Sequence, residues 1–465
     1  MPSADVAWLR MDQPTNLMVI TGVLWFETPP DWGRVREVLR ARLVEPYPRF
    51  RQRVVERQGL AGPHWEDDPD FDLDLHLHRV ALPPPHDRVA LQALVADLTS
   101  TPLDRMRALW QFHLVDEFGE GAAMIARIHH CIADGIALAQ VLMSLTDPSP
   151  RAGVEPPAPP AERREGGGPL EAVLRPAAGA LSAARGTAGA VVHESVEVLR
   201  HPSHMTDLAA SAREDADALA KVLLATADPP SPLKGDLGVA KRVAWSNPIA
   251  LEEVRAMGHE TGTTINDVIV TAVAGGLRRY LRSRDGLVDE LTAFVPFNLR
   301  PLDEPLPRDL GNRFGLVSLV LPVGIGDRRR RLREVHRRMQ EIKHSPQGAI
   351  SYGVLDAIGR TPAEIERRAV ELFSSTATAV VTNVPGPRQP VYLAGTRVGG
   401  VLVWAPCSGN ISMTVSIFSY AGEITIGVMA DAKLVPDPEA IVAASEREVE
   451  ALLRLKRRPI GGRRA

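Results

Sequence analysis

The sequence predicts an α/β protein built as two domains, and three observations predict it. The chain has 465 residues, too long for one ordinary hydrophobic core and suited to two domains of common size. Strand-patterned runs alternate with helix-patterned runs in two separate regions, one before residue 148 and one after residue 237. Between them lies a break in composition that neither helix nor sheet tolerates.

The elements follow in order. Residues 1–147 form the first α/β region. Within it, residues 17–26 are β-rich, and Val89, Leu91, Leu94, Val95 and Leu98 carry helical spacing. Residues 122–129 read as a strand and 134–145 as the helix after it. Residues 148–237 form a linker followed by alanine-rich helices. The linker holds Pro148, Pro150, Pro156, Pro157, Pro159, Pro160 and Pro169 with Gly166, Gly167 and Gly168, a composition that stays flexible. Pro229, Pro230 and Pro232 close this region. Residues 238–457 form the second α/β region. It has helices over 247–257 and 264–281, strands over 291–295 and 316–323, and three turn-linked strands over 398–429. Met413, Val415 and Ile417 give the clearest alternation. Residues 458–465 are a basic tail.

Composition removes several classes. The net charge of −3 lacks the basic excess of a nucleic-acid binder, so no nucleic-acid partner is expected. Cys131 and Cys407 are the only cysteines; they exclude a disulfide framework and point to a reducing, intracellular location. Residues 1–10 carry Asp5 and no apolar core of a signal peptide. No run approaches the ~18 apolar residues of a membrane span. A lipid substrate would therefore be met from the water side, in the cytoplasm or peripherally at the inner membrane face or a lipid body.

The chemistry centres on His129-His130-Cys131-Ile132-Ala133-Asp134-Gly135. Side chains alternate along a strand, so Met124, Ala126, Ile128 and His130 share one face, and Arg127 and His129 the other. His130 arrives from the apolar side at the strand's end, and Asp134 and Gly135 allow a tight turn into the next helix. A neutral imidazole has a pKa near ~6.5, suited to a general base. Asp134 fits an architectural role, holding the loop. A metal site of His129, His130 and Asp134 is disfavoured because adjacent strand residues point apart, so no metal is expected. Cys131 as nucleophile meets the same objection. His76 and His78 share a strand face without a third ligand and read as surface histidines.

The His-His-x-x-x-Asp-Gly run resembles the signature of the chloramphenicol-acetyltransferase-like superfamily, and the remaining motifs resemble the bacterial wax ester synthase/diacylglycerol acyltransferase family. They are Trp8-Leu9 with Thr15-Asn16-Leu17-Met18, Pro102-Leu103-Asp104-Arg105 with Leu109-Trp110, and Thr263-Thr264-Ile265-Asn266-Asp267-Val268. Val295-Pro296-Phe297-Asn298-Leu299-Arg300-Pro301, Gly311-Asn312-Arg313-Phe314-Gly315, Thr382-Asn383-Val384-Pro385-Gly386-Pro387 and Ser416-Ile417-Phe418-Ser419-Tyr420 complete the set. The resemblance implies two chloramphenicol-acetyltransferase-like α/β sandwich domains with a substrate tunnel at their interface. It implies direct transfer between acyl-CoA, a co-substrate rather than a resident cofactor, and an alcohol, without a covalent acyl-enzyme. It assigns His130 as general base, with His129 and Asp134 in support. It assigns Asn266 as the residue completing the site from the second domain, although a helix-start role accounts for an Asn there equally well. In related folds an arginine placed like Arg300 pairs with the motif aspartate, so Arg300 and Gly135 are structural candidates. Two positions depart from the family pattern, Ala108 before Leu109-Trp110 and the run Ser408-Gly409-Asn410-Ile411.

The expected function is transfer of a long-chain acyl group from CoA to diacylglycerol, giving triacylglycerol, or to a long-chain alcohol, giving a wax ester. A different acceptor, such as a secondary-metabolite hydroxyl or an amine, and a non-catalytic lipid-binding protein are the alternatives. Residues 328–344 carry Arg328, Arg329, Arg330, Arg331, Arg333, Arg337 and Arg338, with Leu332, Val335, Met339 and Ile342 on one helical face. That pattern fits a helix lying on an anionic lipid surface. It fits the core face of an ordinary domain helix better, and a landing site for CoA phosphates is a third use.

Overall fold

The protein is described from a computed structural model, which covers residues 1–56, 62–151, 153, 228–299, 306–343, 345, 347–358, 370–371 and 373–456. Most of 148–237, the tail 458–465 and Arg300 lie outside the described residues.

Two mixed sheets organise the fold. In the first, Leu77–Ala81, Trp110–Phe118, Gly121–His129, Val19–Phe26, Thr396–Trp404, Tyr392–Leu393 and Thr146–Asp147 lie side by side in that order. The second runs Phe314–Leu321, Leu291–Asn298, Ala379–Pro385, Met413–Tyr420, Glu423–Asp431 and Lys241–Trp245. There are two apolar cores, and the first also takes residues of the second sheet, Phe294, Val380 and Phe418 among them. The first is filled by residues such as Trp8, Phe26, Phe50, Trp110 and Trp404, and the second by Val268, Leu277, Val415 and Ile426.

The strand Thr396–Trp404 departs from the expectation of three strands together. It leaves the second half and pairs antiparallel with Val19–Phe26, Thr21 opposite Trp404 and Val23 opposite Leu402. The chain then returns, and Met413–Tyr420 and Glu423–Asp431 pair in the second sheet. The change of sheet falls at the unusual run Ser408-Gly409-Asn410-Ile411. Gly409 has φ of 50°, a left-handed turn that glycine makes without strain. Asn16 holds this turn, donating from Nδ2 to the Gly409 carbonyl at 2.9 Å and the Ile411 carbonyl at 3.1 Å. The first and second regions of sequence are thus interleaved in space.

Smaller corrections have local causes. The helix expected at 247–257 is Leu251–Thr261. Pro248 cannot donate a ladder or helix bond, and Ile249–Ala250 instead pairs with Glu423 and Ile424. His76 and His78 are not surface residues. His76 ends the short 3-10 turn Leu73–His76, is buried, stacks on Trp110 at 4.5 Å and bonds the Trp110 carbonyl through Nδ1. His78 sits half-buried against His113 with ring centroids 5.0 Å apart. Both positions depend on neighbouring strands that spacing alone does not reveal.

The arginine-rich segment is the helix Arg328–Lys343. Its stripe Leu332, Val335 and Met339 is buried in the second core. This is the core-facing arrangement, and it removes the apolar face that a helix lying on a bilayer needs.

Candidate active site

The strand Gly121–His129 is buried from end to end; its residues are small or apolar apart from Arg127, which bonds Gln111 and the Thr101 carbonyl, and His129. At its end the chain turns. His129 N donates to Leu109 O at 2.9 Å, His130 N to Met18 O at 2.7 Å, and Ile132 N back to His129 O at 3.0 Å. Gly311 from the second half meets this turn, donating to Ile132 O at 3.1 Å, and Ala133 forms a parallel bridge with it. The motif loop is therefore built at the junction of the two halves.

His130 is 4% exposed. Its ring stacks on Trp8 with centroids 4.2 Å apart and lies 5.3 Å from Phe314. Nδ1 sits 2.9 Å from Asn312 Oδ1. The Asn312 amide nitrogen donates both its hydrogens, to His130 O at 2.8 Å and to Asp5 Oδ1 at 2.9 Å. Oδ1 is therefore the amide atom left for the imidazole, and Nδ1 must carry the ring hydrogen. The lone pair is then on Nε2, the state a general base requires. Burial pushes His130 down to about 4, against the opposing effect of the Asn312 bond. The ring is neutral at ordinary pH.

His129 points elsewhere. Its Nδ1 accepts from the Cys131 backbone N–H at 3.1 Å, and Nε2 lies 3.8 Å from Asp12 Oδ2. Asp12 also accepts from Met18 N and Arg105. The two motif histidines thus face different partners. Asp134 is the N-cap of the helix Gly135–Ser144, accepting from Ala137 N at 2.8 Å, and its other oxygen accepts from Arg313 N at 3.0 Å. Gly135, the first helical residue, is exposed, and a Cβ added there would meet no atom within 4 Å.

Asn266 lies in the first turn of the helix Ile265–Ser283. The helix starts in a capping box: Thr264 accepts from Asp267 N, and the Asp267 side chain accepts from Thr264 N. Asn266 Oδ1 accepts from Asn383 Nδ2 at 2.9 Å. Two motifs far apart in sequence meet in that bond. From the second half, Asn312 hydrogen-bonds His130 and Phe314 packs beside its ring.

Sequence reasoning missed Asn312 and Asp5. Asn312 was visible only as part of a motif. Asp5, 0% exposed, counted only as a charge near the N-terminus. Its signal was a carboxylate embedded in the otherwise apolar run Ala4, Val6, Ala7 and Leu9. Burial pushes the Asp5 carboxyl up to about 6, opposed by its bonds from Asn312 and by Arg49.

Other chemistries find less support. Cys131 is fully buried, and burial raises its thiol far above the ordinary value, which disfavours the thiolate a nucleophile needs. Among the described residues no cluster of three or more His, Cys, Asp or Glu side chains could hold a metal ion.

Comparison with known proteins gives a consistent result. Residues 1–269 match the wax ester synthase/diacylglycerol acyltransferase catalytic domain, and residues 310–453 match the C-terminal domain of the same family. A Mycobacterium tuberculosis protein named as a diacylglycerol O-acyltransferase is 30% identical over 433 residues, 91% of this chain and 89% of its own. The wax ester synthase/diacylglycerol acyltransferase of Marinobacter aquaeolei superposes with a TM-score of 0.68 at 22% identity, over 97% of this chain and 98% of that one. A starter condensation domain of rhizomide synthetase, solved in complex with C8-CoA, superposes with a TM-score of 0.55 at 14% identity, over 97% and 93%.

Proposed function

The chain belongs to the wax ester synthase/diacylglycerol acyltransferase family, and on that premise we propose that it transfers a long-chain acyl group from acyl-CoA to a hydroxyl acceptor. Diacylglycerol would give triacylglycerol, and a long-chain alcohol would give a wax ester. The observation that carries the reading is the His130–Asn312 bond, which leaves Nε2 as a proton acceptor in a buried site.

In the proposed reaction His130 Nε2 takes the proton of the acceptor hydroxyl as its oxygen attacks the thioester carbon. The tetrahedral adduct collapses, the C–S bond breaks, and the proton passes from Nε2 to the departing CoA sulfur. Such proton transfer is typically worth ~10²–10⁴ in rate. Asn266, whose Oδ1 is engaged by Asn383, keeps its Nδ2 hydrogens for the carbonyl oxygen as charge develops there, aided by the helix N-terminus. His129 and Asp134 hold the loop. Arg300 remains the candidate partner of Asp134 across the halves. The CoA substrate is supported by the fold neighbour solved with C8-CoA. Purified protein given labelled acyl-CoA with diacylglycerol or hexadecanol should yield ester and free CoA; no ester from any alcohol tested would refute it.

A second reading changes the acceptor. It is favoured by the unusual run Ser408-Gly409-Asn410-Ile411 and by the condensation domains that share the fold. One acyl-CoA tested against a panel of alcohols and amines, read by thiol release, separates the two.

The lipid would be met peripherally, from the cytoplasm. No helix among the described residues is long and apolar enough to cross a membrane, and both cysteines are free and buried, which fits a reducing compartment. The surface contact proposed is electrostatic, through Arg329, Arg330 and Arg333, which are exposed on the helix Arg328–Lys343.

A further inference from the structure

Asp5 is a fully buried carboxylate that the acyl-transfer chemistry does not use directly. It lies on the first helix, Ser3–Arg10. Asn312 donates to its Oδ1 twice, from the backbone N–H and from Nδ2, each at 2.9 Å. Among the described residues Oδ2 has no hydrogen-bond partner; Arg49 Nη1 stands 3.7 Å from it. Among the described residues both hydrogen bonds to the carboxylate therefore come from one residue, and that residue is the one on the catalytic imidazole.

The orientation of the Asn312 amide has a chemical consequence. Turned by 180°, the amide would set its oxygen against the Asp5 carboxylate and against the His130 carbonyl, acceptor against acceptor in both cases. It would also set N–H donors against His130 Nδ1. The ring could satisfy them only by moving its hydrogen to Nε2, the nitrogen that must accept the substrate's proton. A carboxylate, which when ionised can only accept, forbids that orientation.

We propose that Asp5 is a positioning residue: through Asn312 it holds His130 in the tautomer with hydrogen on Nδ1 and the lone pair on Nε2. This rests on the reading of His130 as the general base. The rival is that Asp5 merely fastens the first helix to the second half of the chain.

The test combines ¹⁵N NMR of histidine-labelled protein with steady-state kinetics. The His130 signals are assigned by their loss in His130→Gln. Wild-type enzyme at neutral pH should show a protonated Nδ1 and an unprotonated Nε2. In Asp5→Ala the hydrogen should be shared between the two nitrogens. kcat should fall about 10- to 100-fold, part of the ~10²–10⁴ that a positioned base supplies, with little change in KM for acyl-CoA. Asp5→Asn still offers an oxygen to Asn312 and should recover the tautomer and most of kcat. A wild-type enzyme with hydrogen on Nε2 overturns the proposal, and this needs no variant to fold. So does a folded Asp5→Ala enzyme with the wild-type tautomer, or equal loss in Asp5→Ala and Asp5→Asn. Failure of the base assignment looks different: His130→Gln would then keep its turnover whatever the tautomer proves to be.

Discussion

Asp134 and Arg313, 179 residues apart, are joined by a hydrogen bond from the Arg313 backbone N–H to Asp134 Oδ2 at 3.0 Å. The same carboxylate caps the helix Gly135–Ser144 through Ala137 N. One side chain thus fixes the motif helix to the segment that carries Asn312. Asp134→Ala should lower both stability and rate. Loss of the cap alone costs about 0.5–2 kcal/mol, and loss of the second bond loosens the imidazole's partner. Chemical denaturation measured beside kcat checks this. Wild-type stability with no activity would point instead to direct chemistry by Asp134.

His130→Ala should remove most turnover and leave the fold intact, a loss of the order of ~10²–10⁴. His129→Ala should cost less. Its ring faces Cys131 N and Asp12 rather than Asn312, so its loss loosens the loop without removing the base. Equal loss in two folded variants would defeat that distinction.

Much of this site was legible in the sequence because local rules governed it. The strand ending at His129, its alternation and the helix after Asp134 follow from patterning and capping over a dozen residues. The Thr264 and Asp267 capping box marks the other helix start just as locally. The choice of sheet by Thr396–Trp404 was not legible. Val398, Val401, Leu402 and Trp404 are all buried, and a strand covered on both faces carries no sign of which neighbour it pairs with. Asp5 and Asn312 were missed for a related reason. Their meaning lies in a contact across 307 residues, and neither residue is unusual in its own segment. For the arginine helix the sequence favours the core face, and Leu332, Val335 and Met339 are buried in the second core.

The pH dependence of kcat/KM should report the buried imidazole. Burial holds His130 at about 4 in the free enzyme, so the neutral base persists well below the ordinary imidazole range near ~6.5. Activity should stay level from neutrality into mild acid and fall only on approach to that low value. Asp5, pushed up to about 6, is the nearby group that titrates sooner, and Asp5→Asn removes it. An acid limb at the ordinary imidazole value that persists in Asp5→Asn would mean the ring is hydrated in the working enzyme.

Acid stability should depend on His113. It is buried, with no hydrogen-bond partner at Nε2 among the described residues, and burial, aided by His78 and Arg127, pushes it down to about 3. A depressed histidine contributes stability that is present above ~6.5 and lost as pH falls through the folded value, because the unfolded chain takes the proton first. Melting temperature should therefore drop between pH ~7 and ~4. His130 adds to that slope, and the raised carboxyl of Asp5 opposes it. His113→Phe keeps a ring beside His78 and should flatten the dependence. The same slope in wild type and variant would show that His113 already binds a proton when folded.

The last prediction separates arginines that sequence alone treats alike. Arg331 is 1% exposed. Its Nη2 meets Glu448 Oε2 at 2.6 Å, and Nη1 and Nε donate to Ile325 O and Thr271 O. Glu448, 3% exposed, also receives Arg279 and Arg328. Removing one partner of a buried ion pair strands the other charge and costs about 3–5 kcal/mol, so Arg331→Gln should melt well below the parent. Arg329, Arg330 and Arg333 are exposed on the same helix. Their joint replacement by glutamine should change stability little, within about 0.5 kcal/mol per site. If they meet an anionic surface, each contributes about 1 kcal/mol there, and salt weakens the contact. The parent should then sediment with phosphatidylglycerol-containing liposomes at low salt and be released at high salt. The triple variant should bind weakly while turning over soluble short-chain substrates normally. Equal sedimentation of parent and variant would remove this helix as the contact. A raised apparent KM for acyl-CoA in detergent would assign the three arginines to the phosphates of CoA.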